Sequence, residues 1–210
     1  LSGDQNMKNA FHQGKDIHKL TASKIIGTPI KDVEPKQREL AKTLNFGIIY
    51  GMGPQAFSQQ TNLSKKESKE FIENYFKDFP KVKEWQKKIK NQARSAGFVT
   101  NENGRRRKIK GGWKTERAAI NMPVQSLGAD IIKIAMRKTY NFLQDEELLH
   151  RKTNLILSIH DELLLEVADD IVDTIKKEVK KILEKDCYQI SVPLKVEVKK
   201  GKSWGDLKNI

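Results

Sequence analysis

The stretch RELAKTLNFGIIYG, residues 38–51, carries a cation or an aromatic ring at every fourth position. These four residues are Arg38, Lys42, Phe46 and Tyr50. On an ideal helix a step of four residues advances about 400°, so they stay on one side of the helix. Two cations followed by two rings suit a nucleoside triphosphate, because Arg and Lys bind phosphate while the rings pack on sugar and base. The alternative is a surface helix with two incidental cations and two core aromatics.

A polar triplet interrupts the apolar stretch NLILSIHDELLLEV, residues 154–167. The aliphatic residues on both sides of His160, Asp161 and Glu162 predict two strands that meet at a tight turn. Mg²⁺ would explain acidic side chains at such a turn, since it prefers carboxylate oxygens together with substrate phosphates. The alternative is a turn with solvated acids.

Charge and cysteine content restrict the class of protein. The 210 residues have a formal net charge of +13, which attracts polyanions, with nucleic acid as the first candidate and a lysine-rich genome bias as the alternative. Cys187 is the only cysteine, which excludes a disulfide framework and favours a reducing compartment. The sequence has neither a signal peptide pattern nor a membrane-length apolar run. We expect a protein of the cytoplasm, the nucleoid or a DNA-containing organelle, and not a secreted or membrane protein.

Helical periodicity and capping signals dominate the first two thirds of the chain, and strands follow. The predicted helices cover residues 16–26, 35–50, 65–79, 80–96, 115–149 and 169–185. The predicted β elements are a hairpin over 98–109 with its turn at Asn103 and Gly104, the hairpin over 154–167, and an alternating strand over 192–198. This segregation predicts an α+β fold.

Together the two motifs resemble the DNA polymerase I family, the family A DNA polymerases. The first resembles motif B of the fingers helix, and HDEL, residues 160–163, resembles motif C of the palm. Further agreement comes from GKDIHKLTAS (14–23), GRRRKI (104–109) and INMPVQSLGADIIKIAM (120–136). The likeness covers essentially the whole chain. It implies a helical fingers subdomain over 1–150 and the C-terminal part of an antiparallel-sheet palm over 151–210, with helix 115–149 belonging to either.

The resemblance implies roles around an incoming dNTP. His18, Arg38 and Lys42 would contact the triphosphate, and Lys42 would also protonate the departing pyrophosphate. Phe46 would lie against the deoxyribose. Family members with Tyr at that position accept dideoxynucleotides more readily, so Phe46 predicts discrimination against them. Tyr50 would stack at the template position.

The resemblance also implies metal and DNA contacts. Asp161 would hold Mg²⁺ in a site for two ions, with Glu162 beside it as a weaker or indirect partner. The residues implied at primer–template DNA are Asn121, Gln125 and His160 near the primer end, and Arg105, Arg106 and Arg107 on the template backbone. Minor-groove acceptors have similar positions in all correct pairs, so contacts near the primer end would test geometry without reading sequence.

The family's motif A, which supplies a second metal-binding aspartate, has no counterpart in the sequence, and neither do the thumb and exonuclease domains. We therefore expect a C-terminal piece of a polymerase that is inactive alone and is completed by an N-terminal part, in the same chain or in trans. Replication and repair both remain open as the role of the parent enzyme. Single-subunit RNA polymerases share the Arg, Lys and Tyr-Gly pattern, but their spacing differs and they usually carry His-Asp-Ser. The alternative from another class is a non-catalytic nucleic-acid-binding module derived from a polymerase.

Overall fold

The computed structural model describes residues 1–110 and 113–210. The chain divides into two units, Leu1–Gln125 and Ser126–Ile210. Among the described residues, no helix combines the length and the apolar character that crossing a membrane requires.

The first unit is mainly helical. Its helices are α1 (Gln5–His12), α2 (Ile17–Ile26), α3 (Pro35–Ile49), α4 (Pro54–Ser58), α5 (Lys65–Asp78) and α6 (Pro80–Ala96). The helix predicted over 16–26 is confirmed: Asp16 accepts N–H groups at the start of α2, and Gly27 ends that helix in the left-handed conformation. Ser64 forms a capping box with Glu67 at the start of α5, the helix predicted over 65–79.

A short hairpin follows α6. Its strands, β1 (Phe98–Thr100) and β2 (Arg106–Lys108), are antiparallel, with Thr100 opposite Arg106. The predicted hairpin is confirmed, and its loop covers residues 101–105 with Gly104 at a φ of +81°. The long helix α7 (Trp113–Asp145) comes next and runs through the boundary between the units. It ends before residue 149, because the chain turns at Glu147, whose φ is +53°.

The core of the first unit lies against the inner face of α3. Leu44 and Ile48 on that face are fully buried. The residues packed with them are Phe57, Ile72, Tyr75, Phe79 and Val82. Ala22 and Ala41 form a separate small cluster with Val33, and such small residues let α2 and α3 approach closely. This packing leaves the opposite face of α3 for polar and aromatic side chains.

The second unit contains the predicted tight hairpin. It joins β3 (Thr153–Ile159) to β4 (Glu162–Val167) through His160 and Asp161, with Ile159 opposite Glu162. Helix α8 (Val172–Lys181) continues into a π-helical turn over Ile182–Asp186. A short antiparallel pair, β5 (Lys199–Lys200) and β6 (Lys208–Asn209), follows. Helices combined with small antiparallel sheets make the predicted α+β class correct.

The strand predicted over 192–198 is wrong, since none of these residues belongs to a β ladder. Their burial does alternate: the apolar members Val192, Leu194, Val196 and Val198 are half-buried and the residues between them are exposed. The Val196 N–H bonds to Glu184 Oε1 at 2.9 Å. An alternating pattern fixes which side chains face inward, but a strand also needs a hydrogen-bonding edge beside it.

Candidate functional site

Helix α3 carries the four motif residues because of how it begins and ends. Pro35 occupies its first turn, Glu34 and Gln37 form a capping box, and Tyr50 is the residue that ends it. Phe46 points away from the core and is 44% exposed, so it is not a core aromatic. Arg38 and Lys42 are partly exposed as well, with 37% and 42% of their side chains accessible. Lys42 Nζ lies 3.4 Å from Glu39 Oε1.

Arg38 forms an ion pair with Asp16. Its Nε lies 2.6 Å from Asp16 Oδ2, while Asp16 Oδ1 accepts the backbone N–H groups of His18 and Lys19 at 3.0 Å each. Burial acts to raise the pKa of Asp16, but the hydrogen bond from Arg38 and the N–H donors outweigh it and hold that pKa below its usual value. Sequence reasoning did not select Asp16 as a site residue, although an aspartate before a helix is a preferred N-cap.

His18 lies on α2 beside this pair. Its Nδ1 is 3.0 Å from Asn45 Nδ2, and the Thr21 hydroxyl donates to Asn45 Oδ1 at 2.9 Å. Burial lowers the pKa of His18, the cations Arg38 and Lys42 lower it further, and the Asp16 carboxylate acts in the opposite direction. Asn45 was also missed, because the sequence alone does not show which side chain lies beside the imidazole.

Three rings form a row next to the cations. The His18 and Phe46 centroids are 5.8 Å apart with the planes tilted by 47°. Phe46 and Tyr50 are stacked, with centroids 6.3 Å apart and planes 14° from parallel. Gln125 Nε2 donates to the Tyr50 hydroxyl at 3.1 Å. The structure therefore brings these five predicted residues together in the first unit: His18, Arg38, Phe46, Tyr50 and Gln125, with Lys42 on the same helix.

The end of α3 that carries Tyr50 is held by Gln86. Its Nε2 donates to the carbonyl oxygens of Ile48 and Ile49 at 2.9 and 2.7 Å, which satisfies two acceptors at the helix terminus. Gln86 is 7% exposed and lies on α6. Its only sequence signal is a polar residue on the apolar face of a helix, which sequence reasoning did not use.

The other predicted DNA-binding residues of the first unit lie elsewhere in it. Arg105, Arg106 and Arg107 are exposed at and next to β2, and the Arg106 guanidinium lies 5.0 Å from the centroid of the Phe98 ring. Asn121, on α7, is half-buried. Its Oδ1 is buried and has no hydrogen-bond partner among the described residues, so it is an acceptor without a donor.

The second unit presents His160, Asp161 and Glu162 at the exposed tip of its hairpin. His160 has a φ of +52°, a conformation that costs a non-glycine residue energy and often marks a functional position. Among the described residues, no three His, Cys, Asp or Glu side chains form a group that would hold a metal ion. Asp161 and Glu162 still fit Mg²⁺, because this ion needs only one or two carboxylates when phosphates and waters complete its octahedron.

Comparisons with known proteins agree on one family. The family profile described as DNA polymerase family A matches residues 1–206. The chain is 41% identical over 216 residues to "DNA polymerase I, thermostable" of Thermus filiformis and 40% identical over 216 residues to DNA polymerase I of Caldicellulosiruptor bescii, covering 99% of this chain and 25% of each relative. The chain thus spans about a quarter of the length of these curated relatives.

A solved structure has the same fold. It is the POL domain of Pol1 from M. smegmatis in complex with DNA primer-template and dNTP, which aligns with a TM-score of 0.86 and 33% sequence identity. The alignment covers 97% of this chain and 37% of that one.

Proposed function

The chain belongs to DNA polymerase family A, and from this we propose that it is part of a DNA-directed DNA polymerase. The reaction is the template-directed addition of dNMP to a primer 3′-OH with release of pyrophosphate, and it serves DNA replication or repair. The observation that carries the proposal is the row of cations and rings on the outer side of α2 and α3.

The cations of this row form the triphosphate end. Arg38 presents a planar fork of donors and Lys42 a point charge, and His18 lies beside them. Donors that are fixed before the reaction stabilise the charge that develops on the phosphates without later reorganisation. Lys42 is the proton donor to the departing pyrophosphate, since its partly exposed ammonium lies on the same face of α3 as Arg38.

The rings form the nucleoside end. Phe46 is exposed enough to lie against a deoxyribose, and Tyr50 offers its ring to a base at the end of the helix. The bond from Gln125 to the Tyr50 hydroxyl links this end to a residue proposed to meet the duplex. Substrate parts and protein groups therefore follow the same order along α3: phosphate, sugar and base.

The hairpin tip of the second unit is the proposed metal site. Asp161 would hold Mg²⁺, with Glu162 as a weaker or indirect partner, and two ions are expected in the complete enzyme. Bound Mg²⁺ supplies charge stabilisation at the phosphates and at the attacking oxygen. The carboxylates of Asp161 and Glu162 are exposed at the tip, so they can bind an ion without displacing other side chains.

Primer–template DNA is the proposed partner. Exposed Arg105, Arg106 and Arg107 would hold the template backbone, and Asn121 would meet the duplex near the primer end. Gln125 and His160 are proposed to contact the duplex near the primer end. An N-terminal part of the polymerase, in the same chain or in trans, is a second proposed partner, because the relatives are about four times longer than the matched region. We also propose that the chain alone is inactive, because two-metal catalysis needs a second bridging carboxylate and no segment of the 210 residues resembles motif A.

The test is a chimera in which residues 1–206 replace the matching segment of the Thermus filiformis relative. We expect single-nucleotide primer extension, which Asp161→Ala abolishes and Lys42→Ala slows by about 10²–10⁴-fold, the range of general acid catalysis. The matched controls are Glu166→Ala, an exposed carboxylate on the same hairpin, and Lys36→Ala, an exposed lysine on α3. Both controls should retain activity.

The second function is a non-catalytic nucleic-acid-binding module, favoured by the net charge of +13. It predicts a folded but inactive chimera and an isolated chain that binds primer–template in fluorescence anisotropy. Extension lost equally in Lys42→Ala and Lys36→Ala would also contradict the catalytic assignment.

Under both proposed functions, replacing Arg105, Arg106 and Arg107 by Ala should reduce the salt dependence of primer–template binding. The slope of log affinity against log salt concentration should fall by about 0.9 per lost phosphate contact.

A further inference from the structure

A buried chain of hydrogen bonds ends at the imidazole of His18. The Thr21 hydroxyl donates to Asn45 Oδ1 at 2.9 Å, and Asn45 Nδ2 lies 3.0 Å from His18 Nδ1. Thr21 and Asn45 are only 5% and 1% exposed, so water cannot easily replace either partner. A buried polar network of this kind fixes orientation when each member has its partner.

We propose that Asn45 is a positioning residue that holds His18 as a neutral ring with its proton on Nε2. An amide nitrogen only donates, so His18 Nδ1 must accept and cannot carry a proton. The proton of the neutral ring is then on Nε2, which leaves that N–H as a donor. The inference rests on the proposed function, because the Nε2–H group has a ligand to donate to only if His18 contacts a phosphate oxygen.

The charges around His18 agree with a neutral ring. From α3, Arg38 and Lys42 oppose a further positive charge, while Glu39 favours it. From the start of α2, Asp16 also favours protonation, but Arg38 pairs with that carboxylate. Partial burial is the largest influence and, with the two cations, keeps the pKa of His18 below its usual value of 6.5.

The same geometry shows what must change before His18 can be protonated on both nitrogens. A charged imidazole carries N–H on both nitrogens, and His18 Nδ1–H would then face the Asn45 N–H group. Asn45 would have to turn its amide over so that Oδ1 faces the ring. Thr21 opposes this rotation as long as its hydroxyl donates to Oδ1, although a hydroxyl can also accept. Thr21 therefore contributes to the tautomer of His18 through Asn45.

The tautomer can be read by long-range ¹H–¹⁵N NMR of the ¹⁵N-labelled chain without nucleotide. The chain has four histidines, and the signals of His18 are identified by their loss in His18→Gln. We expect the Nε2–H pattern for His18. His150 is an internal comparison, because its Nδ1 faces the oxygen of Asn154 at 3.1 Å, which predicts the opposite pattern with the proton on Nδ1.

Two variants test the hydrogen-bond chain from Thr21 through Asn45 to His18. Asn45→Asp places an acceptor against Nδ1 and should raise the titration midpoint of His18 by about one pH unit or more. Thr21→Val removes the hydroxyl that orients the amide and should mix the two tautomers, whereas Thr43→Val, an exposed threonine on α3, should change neither property. If Asn45→Asp does not fold, Thr21→Val decides the question.

A wild-type His18 with its proton on Nδ1, or folded variants with unchanged tautomer and midpoint, would overturn the inference. Failure of the proposed function gives a different result. In that case His18 shows the expected tautomer, but His18→Gln leaves dNTP binding by the chimera unchanged.

Discussion

Arg38 and Asp16 are joined by a 2.6 Å hydrogen bond that also couples two helices, because the same carboxylate caps α2 through its other oxygen. The guanidinium that we propose for triphosphate binding is thus oriented before a substrate arrives. The pair orients Arg38 without neutralising Lys42 on the next turn of α3. The same carboxylate also holds the backbone of His18, whose N–H donates to Asp16 Oδ1 at 3.0 Å.

The first prediction concerns the two roles of Asp16. Asp16→Asn keeps an N-capping side chain but removes the charge, and we expect it to cost about 0.2–1 kcal/mol, the range for partly exposed ion pairs. Asp16→Ala removes the cap as well and should cost about 1 kcal/mol more. Urea titrations of the two variants measure the difference. Equal losses in both would mean that the cap contributes nothing.

The same carboxylate predicts a pH dependence. Because the pKa of Asp16 is held below its usual 3.8, the folded state favours the ionised form. Its contribution to the free energy of unfolding is therefore complete above the unfolded pKa and is lost as the pH falls through the folded one. Between pH 5 and pH 2, wild type should lose more stability than Asp16→Asn. Parallel pH curves for the two proteins would contradict the lowered pKa.

The second prediction concerns the clearance at Gly47. An added β-carbon would lie 2.4 Å from Met52 Cε and 3.3 Å from Met52 Cβ. Gly→Ala in a helix normally stabilises, but here the flexible end of Met52 must move away and its Cβ must shift by a few tenths of an ångström, so we expect this gain to be lost and replaced by a cost of up to about 1 kcal/mol. Gly128→Ala is the matched control: apart from its chain neighbours and its own helix backbone, none of the described residues comes within 4 Å of an added β-carbon, and we expect a gain of up to about 1 kcal/mol.

Thermal unfolding of Gly47→Ala alone and combined with Met52→Ala identifies the cause. If the double variant regains the stability lost in Gly47→Ala, the contact with Met52 is the cause of the loss. A single variant as stable as wild type would mean that Met52 moves aside without cost.

The third prediction concerns Gln86. Gln86→Leu leaves the Ile49 carbonyl oxygen without its Gln86 donor, whereas the Ile48 oxygen keeps the Gly51 N–H at 3.0 Å, and an unsatisfied buried acceptor costs about 1–3 kcal/mol. The amides of Tyr50 and Gly51, which bond to carbonyls of the same helix, should exchange hydrogen faster. Gln92→Leu, a half-buried position on α6, should stay within about 0.5 kcal/mol of wild type. Unchanged exchange at Tyr50 would show that α3 ends without help from Gln86.

The sequence was sufficient to predict helix ends and turns, because residues that are close together in the chain determine them. Asp16, Gly27 and Gly97 mark helix ends through capping chemistry, and the polar triplet at residues 160–162 marks the turn between two aliphatic strands. The site was predictable where it follows helical spacing, as along α3. Contacts between distant positions were not: Asn45 meets His18 across 27 residues and Gln86 meets Ile48 across 38, and no local pattern encodes either. The wrong strand over 192–198 has the same origin, since a ladder depends on a second segment.

The last prediction separates strain from binding at the hairpin tip. His160 has a φ of +52°, and a left-handed backbone costs a residue with a β-carbon about 1 kcal/mol, so His160→Gly should stabilise the hairpin by about 0.5–1 kcal/mol. If His160 contacts the duplex as proposed, the same change should weaken primer–template binding measured by anisotropy. His150→Gly is the control, because His150 has a φ of +60° and no proposed DNA contact. A His160→Gly variant that gains stability and keeps its affinity would mean that this histidine serves only the turn, whereas weaker binding in both variants would point to a general loss of basic or polar surface.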